Sequence, residues 1–262
     1  MISLERRDGR PLVIGHRGAP ALAPENTLPS FRAALAAGVD LIEFDVLSLR
    51  DGELVIAHSD DLHELSHGAA GGAIGPMTFA DLRQIASELL RLDEALAFFV
   101  EEAPEVGLHV DLKSASALEG VARALARFGL LDRSLVSSFH HGALRRLARL
   151  EPRIRIGASF PEDRLGISRK RRLAPVVSRS LRSLIPLTPA LVGPLLARAR
   201  ATALVLKHEL VSPRAVRRAH ARGASVVAWT VDDPRDFSRM LEAGVDAVVT
   251  NDPSTFVSTL TT

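Results

Sequence analysis

The sequence predicts a (β/α)8 TIM barrel, and three observations carry that expectation. A chain of 262 residues, 47% of them hydrophobic, can bury one large core. Short apolar runs alternate with helix-type runs along its length, roughly eight of the former, the number that closes a barrel. The tetrad Ala-Gly-Val-Asp, at Ala37 to Asp40 and again at Ala243 to Asp246, each time leads into an apolar run, so helix, glycine, strand is a repeated unit. One domain over residues 1–262 is expected.

The first strand is Leu12-Val13-Ile14, with Gly18 allowing a turn directly after His16 and Arg17. Asn26 or Thr27 caps a helix running through Phe31 to Ala36, with Pro29 in its first turn and Gly38 at its end. The second strand is Leu41 to Leu47. Asp51-Gly52 then turns the chain back, so Glu53 to Ala57 reads as a hairpin arm that hangs His58 over the barrel mouth. An inserted active-site loop, about 58–105, follows, with glycines from Gly68 to Gly75 and helical stretches at Phe79 to Ala86 and Asp93 to Phe99. The remaining strands are Leu108 to Leu112, Leu135 to Ser138, Ile154 to Ala158, Ala203 to Leu206, Val226 to Trp229 and Ala247 to Val249.

An extra segment, about 162–200, separates two of these strands by far more than a usual barrel connection. It opens with Arg169-Lys170-Arg171-Arg172 and continues as an uncharged stretch, Leu184 to Ala197, broken by Pro186, Pro189 and Pro194. That stretch is too short to span a membrane, and its prolines argue against one continuous helix. A helix pair packed on the barrel is one reading. A partly apolar lid at the mouth is the other, with residues 164–200 touching anionic membrane surfaces.

The formal net charge is +2, so no nucleic-acid partner is implied. Cysteine is absent, which excludes disulfides and thiolate metal sites. Met1 to Arg10 has no apolar segment of signal-peptide length, and a cytoplasmic location is expected.

In Leu41-Ile42-Glu43-Phe44-Asp45-Val46 the acids alternate with apolar residues, so both carboxylates leave one face of one strand. Asp111 repeats the pattern, sharing a face with His109 and Lys113. Burying three such acids unpaired is costly, and a divalent cation removes the cost. With no soft ligand on offer, Mg²⁺ or Ca²⁺ fits best, with Mn²⁺ also admissible. The competing reading is that Arg17 and Lys113 neutralise Glu43 and Asp45 and no metal binds. His16 and His58 each end an apolar run beside the acids, where a general base and a general acid would work on a phosphodiester. Arg17 and Lys113 would then face the phosphoryl oxygens. His63, His67, His140, His141 and His220 have no evident partner and are assigned no role.

Taken together, Gly15-His16-Arg17-Gly18, Pro24-Glu25-Asn26-Thr27, Glu43-Phe44-Asp45-Val46, Val55-Ile56-Ala57-His58, Trp229-Thr230-Val231 and Gly244-Val245-Asp246 with Thr250 resemble the glycerophosphodiester phosphodiesterases over nearly the whole chain. The resemblance implies a TIM barrel, a divalent cation and hydrolysis of glycerophosphodiesters to glycerol 3-phosphate and an alcohol. It makes His16 and His58 the acid/base pair, and Glu43 and Asp45 metal ligands with Asp111 in the third ligand position. Arg17 and Lys113 would bind phosphate, and Glu25 and Trp229 would shape the glycerol pocket.

Two departures stand out. Ser59 occupies a position where the family usually has aspartate, so that aspartate is displaced to Asp60 or lost. Asp111 stands where glutamate is usual, and Val110-Asp111-Leu112-Lys113 looks more like the sphingomyelinase D branch of the same barrel superfamily. The alternatives are a lysophospholipase D-like or sphingomyelinase D-like phosphodiesterase, or a non-catalytic barrel that binds phosphodiesters or phospholipid head groups.

Overall fold

The repeated Ala-Gly-Val-Asp tetrad shows how this chain closes. Gly38 and Gly244 each end a helix in the left-handed region, at φ +80° and +81°, where a side chain would be strained. Two residues later an aspartate stitches the next strand to its neighbour. Asp40 accepts the Val13 N–H at 2.8 Å while its own N–H reaches the Val13 carbonyl at 2.9 Å. Asp246 treats Val226 identically, at 2.6 and 2.9 Å. One tetrad thus sets the register of strand two on strand one, and the other that of the last strand on the one before it.

The computed structural model describes residues 2–66, 68–162 and 182–261. The strands in chain order are Leu12–Gly15 (β1), Leu41–Ser48 (β2), Leu54–Ile56 (β3), Gly107–Leu112 (β4), Ser134–Ser138 (β5), Arg155–Phe160 (β6), Ala203–Lys207 (β7), Ser225–Trp229 (β8) and Ala247–Thr250 (β9). All but β3 are parallel, and β1 pairs with both β2 and β9, so eight strands form a closed barrel. Every strand read from the sequence is present, with ends shifted by a residue or two. The expected hairpin arm is β3, antiparallel to β2 with Val46 opposite Ile56.

Helix α1 (Leu28–Ala36) is capped by Thr27, whose side chain accepts the Ser30 N–H, with Pro29 in the first turn. Of the two candidate caps Thr27 serves, and Asn26 turns elsewhere. The insertion carries α2 (Leu62–Leu65) and α3 (Phe79–Ile85). The next helix, α4 (Leu92–Glu101), belongs to the barrel shell. Its Phe98 and Phe99 pack on Phe31 and Phe44 in the main core, with ring centroids 5.5–6.0 Å apart across the contact. The insertion therefore ends near Leu90 and not near residue 105. It has its own hydrophobic cluster, including Leu47, Val55, Leu62, Ile74, Phe79, Leu82 and Leu89.

Among the described residues the remaining named helices are α5 (Leu118–Arg127), α6 (His141–Leu150), α7 (Thr188–Ala199), α8 (Pro213–His220), α9 (Pro234–Ala243) and α10 (Pro253–Thr261). Helix α7 corrects one expectation. Pro189 lies in its first turn and Pro194 in its interior, so a single helix does run through most of the proline-broken stretch. Burial of Val192, Leu196 and Ala199 against the barrel shell offsets the backbone hydrogen bond that Pro194 cannot make. Arg169 to Arg172 and His67 lie outside the described residues, so the lid and membrane readings of 164–200 rest on sequence there. Among the described residues, no helix is long and apolar enough to cross a membrane.

Candidate active site

The barrel interior changes character along its axis. Leu12, Ile14, Leu41, Leu135, Ala203, Val205, Val227, Ala247 and Val249 fill it with apolar side chains. Toward the C-terminal ends of the strands the inward positions turn polar. On β2 and β4 these are Glu43, Asp45, His109 and Asp111, and the parallel register sets Glu43 beside His109 and Asp45 beside Asp111. This is the end of the fold where barrel sites are built.

The loop after β1 is fixed by sterics. A Cβ on Gly15 would stand 2.4 Å from the Gly18 carbonyl oxygen, and one on Gly18, at φ +89°, would stand 2.3 Å from Ser30 Oγ. Ser30 fills that space usefully, donating to the Arg17 carbonyl at 2.9 Å and accepting from the Ala19 N–H at 2.8 Å. Arg17 and Asn26 both adopt positive φ without being glycine, at +51° and +58°, the kind of local strain that a functional loop holds. Each spends that geometry on the acids. The Arg17 N–H donates to Glu43 at 2.8 Å, and the Asn26 carboxamide donates to Asp45 at 2.9 Å.

Glu43, Asp45 and Asp111 are buried, and one oxygen of each lies within 4.8 Å of the others. Lys113 bridges Asp45, at 2.8 Å, and Asp111, while Arg17 Nε reaches Asp45 at 3.0 Å and Arg17 Nη1 reaches Glu25 at 2.7 Å. Burial, together with the neighbouring Asp45, raises Glu43 well above the ordinary carboxylate range. Burial also opposes ionisation of Asp45, but Lys113 and Arg17 overcome it and hold Asp45 well below that range. Three clustered carboxylates thus face two cations, one of which is shared with Glu25. The two cations do not suffice to keep all three acids in their ordinary ionised state, as the raised Glu43 shows, and the donors are hard oxygens. That donor set fits a divalent cation of the Mg²⁺ or Ca²⁺ type.

The two histidines at the mouth are held differently. His16 Nδ1 lies 2.7 Å from Asn251 Oδ1, and the Asn251 amide nitrogen donates to Asp232 at 2.7 Å. The carboxylate orients the carboxamide, so Nδ1 carries the proton and Nε2 keeps its lone pair. Burial, then the Arg17 guanidinium, lowers the His16 pKa to about 3, so the ring is neutral at physiological pH. His58 Nδ1 lies 2.6 Å from Glu64 Oε1. Asn251, Asp232 and Glu64 were not anticipated from the sequence. Asn251 could have been found as the polar residue directly after the β9 run.

His109 is buried inside the barrel and donates from Nε2 to Ser137 Oγ at 2.9 Å, which in turn donates to Asp111 at 2.6 Å. This relay aims the Asp111 carboxylate. Burial lowers the His109 pKa from 6.5 to about 4. Between those values the unfolded chain binds a proton that the folded chain refuses, so this contribution is complete above pH 6.5 and is lost as pH falls toward 4. The stability difference between the wild type and His109→Phe should therefore shrink by on the order of 2–3 kcal/mol between pH 7 and 4.5, read from urea midpoints. A difference independent of pH would refute this.

Of the other histidines, His220 pairs with Asp246 at 2.8 Å, and His141 Nε2 reaches the Ser159 carbonyl at 3.0 Å, so both have structural partners that the sequence did not reveal. His140 lines the mouth of the site.

A cavity of about 410 Å³ brings together His16, Arg17, Glu43, His58, Asp111, Lys113 and Trp229, with Phe139 as an unanticipated apolar wall. The rings of Trp229 and Phe139 meet edge-on at 6.1 Å, and the Trp229 indole N–H is tied to the Val205 carbonyl at 3.3 Å. Asp45 is fully buried and does not line this cavity, but its partners Lys113 and Arg17 do. Glu25 does not line it; with His58 and Glu64 it lines a neighbouring cavity of about 280 Å³.

A barrel with paired histidines over a buried acid cluster at its C-terminal mouth is the arrangement of a phosphodiester-cleaving enzyme. Residues 16–255 match the model of the glycerophosphoryl diester phosphodiesterase family, and the chain belongs to that family. It is 26% identical to a glycerophosphodiester phosphodiesterase of Caldanaerobacter subterraneus, over 94% of this chain and 96% of that protein. The fold is similar to that of an Oleispira antarctica phosphodiesterase solved with the product sn-glycerol 3-phosphate, with TM-score 0.75 and 24% identity over 96% of this chain and 97% of the other. A Thermotoga maritima glycerophosphodiester phosphodiesterase gives TM-score 0.72 and 22% identity, covering 95% and 98%. These likenesses do not favour the sphingomyelinase D-like or non-catalytic readings.

Proposed function

We propose that this chain hydrolyses glycerophosphodiesters to sn-glycerol 3-phosphate and an alcohol. The observation that carries the reading is the single cavity in which His16 and His58 face the acid cluster, with Arg17 and Lys113 beside it. Glu43, Asp45 and Asp111 would hold a Mg²⁺ or Ca²⁺ ion, with Mn²⁺ as a substitute. When bound, such an ion supplies positive charge against the phosphoryl oxygens.

Arg17 and Lys113 orient the phosphodiester and balance its charge. Neutral His16 takes the proton of the attacking oxygen through Nε2; burial first and Arg17 second depress this ring's basicity, and the negative phosphodiester arriving beside Arg17 offsets the second of these. His58, with its Nδ1 held by Glu64, presents Nε2 to the cavity and protonates the leaving alcohol. Trp229 and Phe139 supply the apolar wall for the glycerol carbons, and Glu25 keeps Arg17 in place.

The test is an assay for glycerol 3-phosphate released from glycerophosphocholine by the purified protein without lipid. Release supports the reading. Release of choline phosphate and glycerol would refute it, as would activity confined to lysophospholipids.

A further inference from the structure

The residue after His58 is Ser59, and the acids that follow it at once are engaged elsewhere or turned away. Asp60 accepts the Gly75 N–H at 2.5 Å, and Asp61 caps α2 by accepting the His63 N–H at 3.0 Å. Glu25, the other carboxylate in the neighbouring cavity near His58, is committed to Arg17. The carboxylate that does reach His58 comes from α2. Glu64 Oε1 lies 2.6 Å from His58 Nδ1, and Glu64 Oε2 accepts the Ser59 hydroxyl at 2.6 Å. Both oxygens of one carboxylate therefore grip two consecutive residues at the end of the β3 arm.

We propose that Glu64 is the positioning residue of His58, with Ser59 locking the carboxylate in place. The inference rests on the acid role of His58 proposed above. A carboxylate only accepts hydrogen bonds, so it fixes the proton on Nδ1 and leaves Nε2 for the cavity. It also stabilises the positive charge that the ring carries before it releases a proton to the leaving alcohol. The grip is rigid because α2 is itself anchored. Leu62 is buried in the insertion's hydrophobic cluster, and its N–H donates to the Gly72 carbonyl at 2.8 Å. The two histidines thereby differ in what stands behind them: a neutral carboxamide for His16, a carboxylate for His58.

The experiment compares Glu64→Gln, His58→Ala and the double variant on two substrates, glycerophosphocholine and the p-nitrophenyl diester of glycerol 3-phosphate. Nitrophenolate departs without a proton, so its release does not need the acid. On glycerophosphocholine, Glu64→Gln should lower kcat by about 10- to 100-fold, with KM changed by less than about twofold. On the nitrophenyl ester the loss should be much smaller, and turnover there shows that the variant is folded. The double variant should be no slower than His58→Ala alone.

An equal loss on both substrates would overturn the proposal, as would a double variant slowed by the full Glu64→Gln factor. If His58→Ala is slow on glycerophosphocholine and Glu64→Gln is not, Glu64 has no such role while the His58 assignment stands. If His58→Ala itself is unimpaired, the acid assignment fails first and this proposal falls with it.

Discussion

Activity on glycerophosphocholine is expected to vanish in EDTA and return on addition of Mg²⁺, Ca²⁺ or Mn²⁺. Three buried carboxylates with facing oxygens have, among the described residues, two nearby cations, one of them shared with Glu25, too few to hold all three acids ionised. Replacing Asp111 with alanine should weaken cation binding by at least about tenfold, read by calorimetry on the metal-free protein without any turnover. Lys113 would then lose one of its two carboxylates and keep Asp45. Full activity in EDTA would show that Arg17 and Lys113 suffice to hold the acids, and the metal reading would be wrong.

His16→Ala and His58→Ala are each expected to lower kcat by about 100-fold or more while leaving thermal unfolding nearly unchanged. Both side chains face the cavity and neither fills the core, so stability should register little of their loss. His16 should be the less replaceable. Its Nδ1 partner, Asn251, is tied through its side-chain amide to Asp232, which also accepts the Asn251 backbone N–H at 2.8 Å and the Thr250 hydroxyl at 3.1 Å. A near-normal rate for either variant would remove that histidine from the mechanism.

The strands were legible because β-type apolar runs between helical stretches have few other uses, and Glu43, Asp45 and Asp111 were legible because acids at alternating strand positions break such runs. His16 and His58 stood out by ending them. What could not be read was partnership. Asn251 lies 235 residues from His16 along the chain, and only barrel closure through β1 and β9 brings the two together. Glu64 lies six residues past His58, but a loop and a turn of helix intervene, and no periodicity marks the pair. The end of the insertion was misplaced because α4 looks like any amphipathic helix until Phe98 and Phe99 are seen against Phe31 and Phe44. Pro194 misled because burial of the surrounding helix outweighs its local preference.

The insertion packs in a hydrophobic cluster of its own that joins the barrel through Leu47 and Val55, so the proposed catalytic groups stand on two packed bodies. His16, the acids, Arg17 and Lys113 belong to the barrel, whereas His58 and Glu64 ride on residues 58–90. That unit is tied back by the short β2–β3 ladder and by single bonds such as Ala57 N–H to the Asp45 carbonyl at 3.1 Å and Ile56 N–H to the Leu90 carbonyl at 2.9 Å. Local opening of such a unit costs less than global unfolding. Its opening would carry His58, the proposed leaving-group acid, away while Arg17 and Lys113, proposed to bind the phosphate, stay in place. The protein would then hold its substrate without cleaving it, an idle state that hydrogen exchange confined to residues 58–90 would reveal.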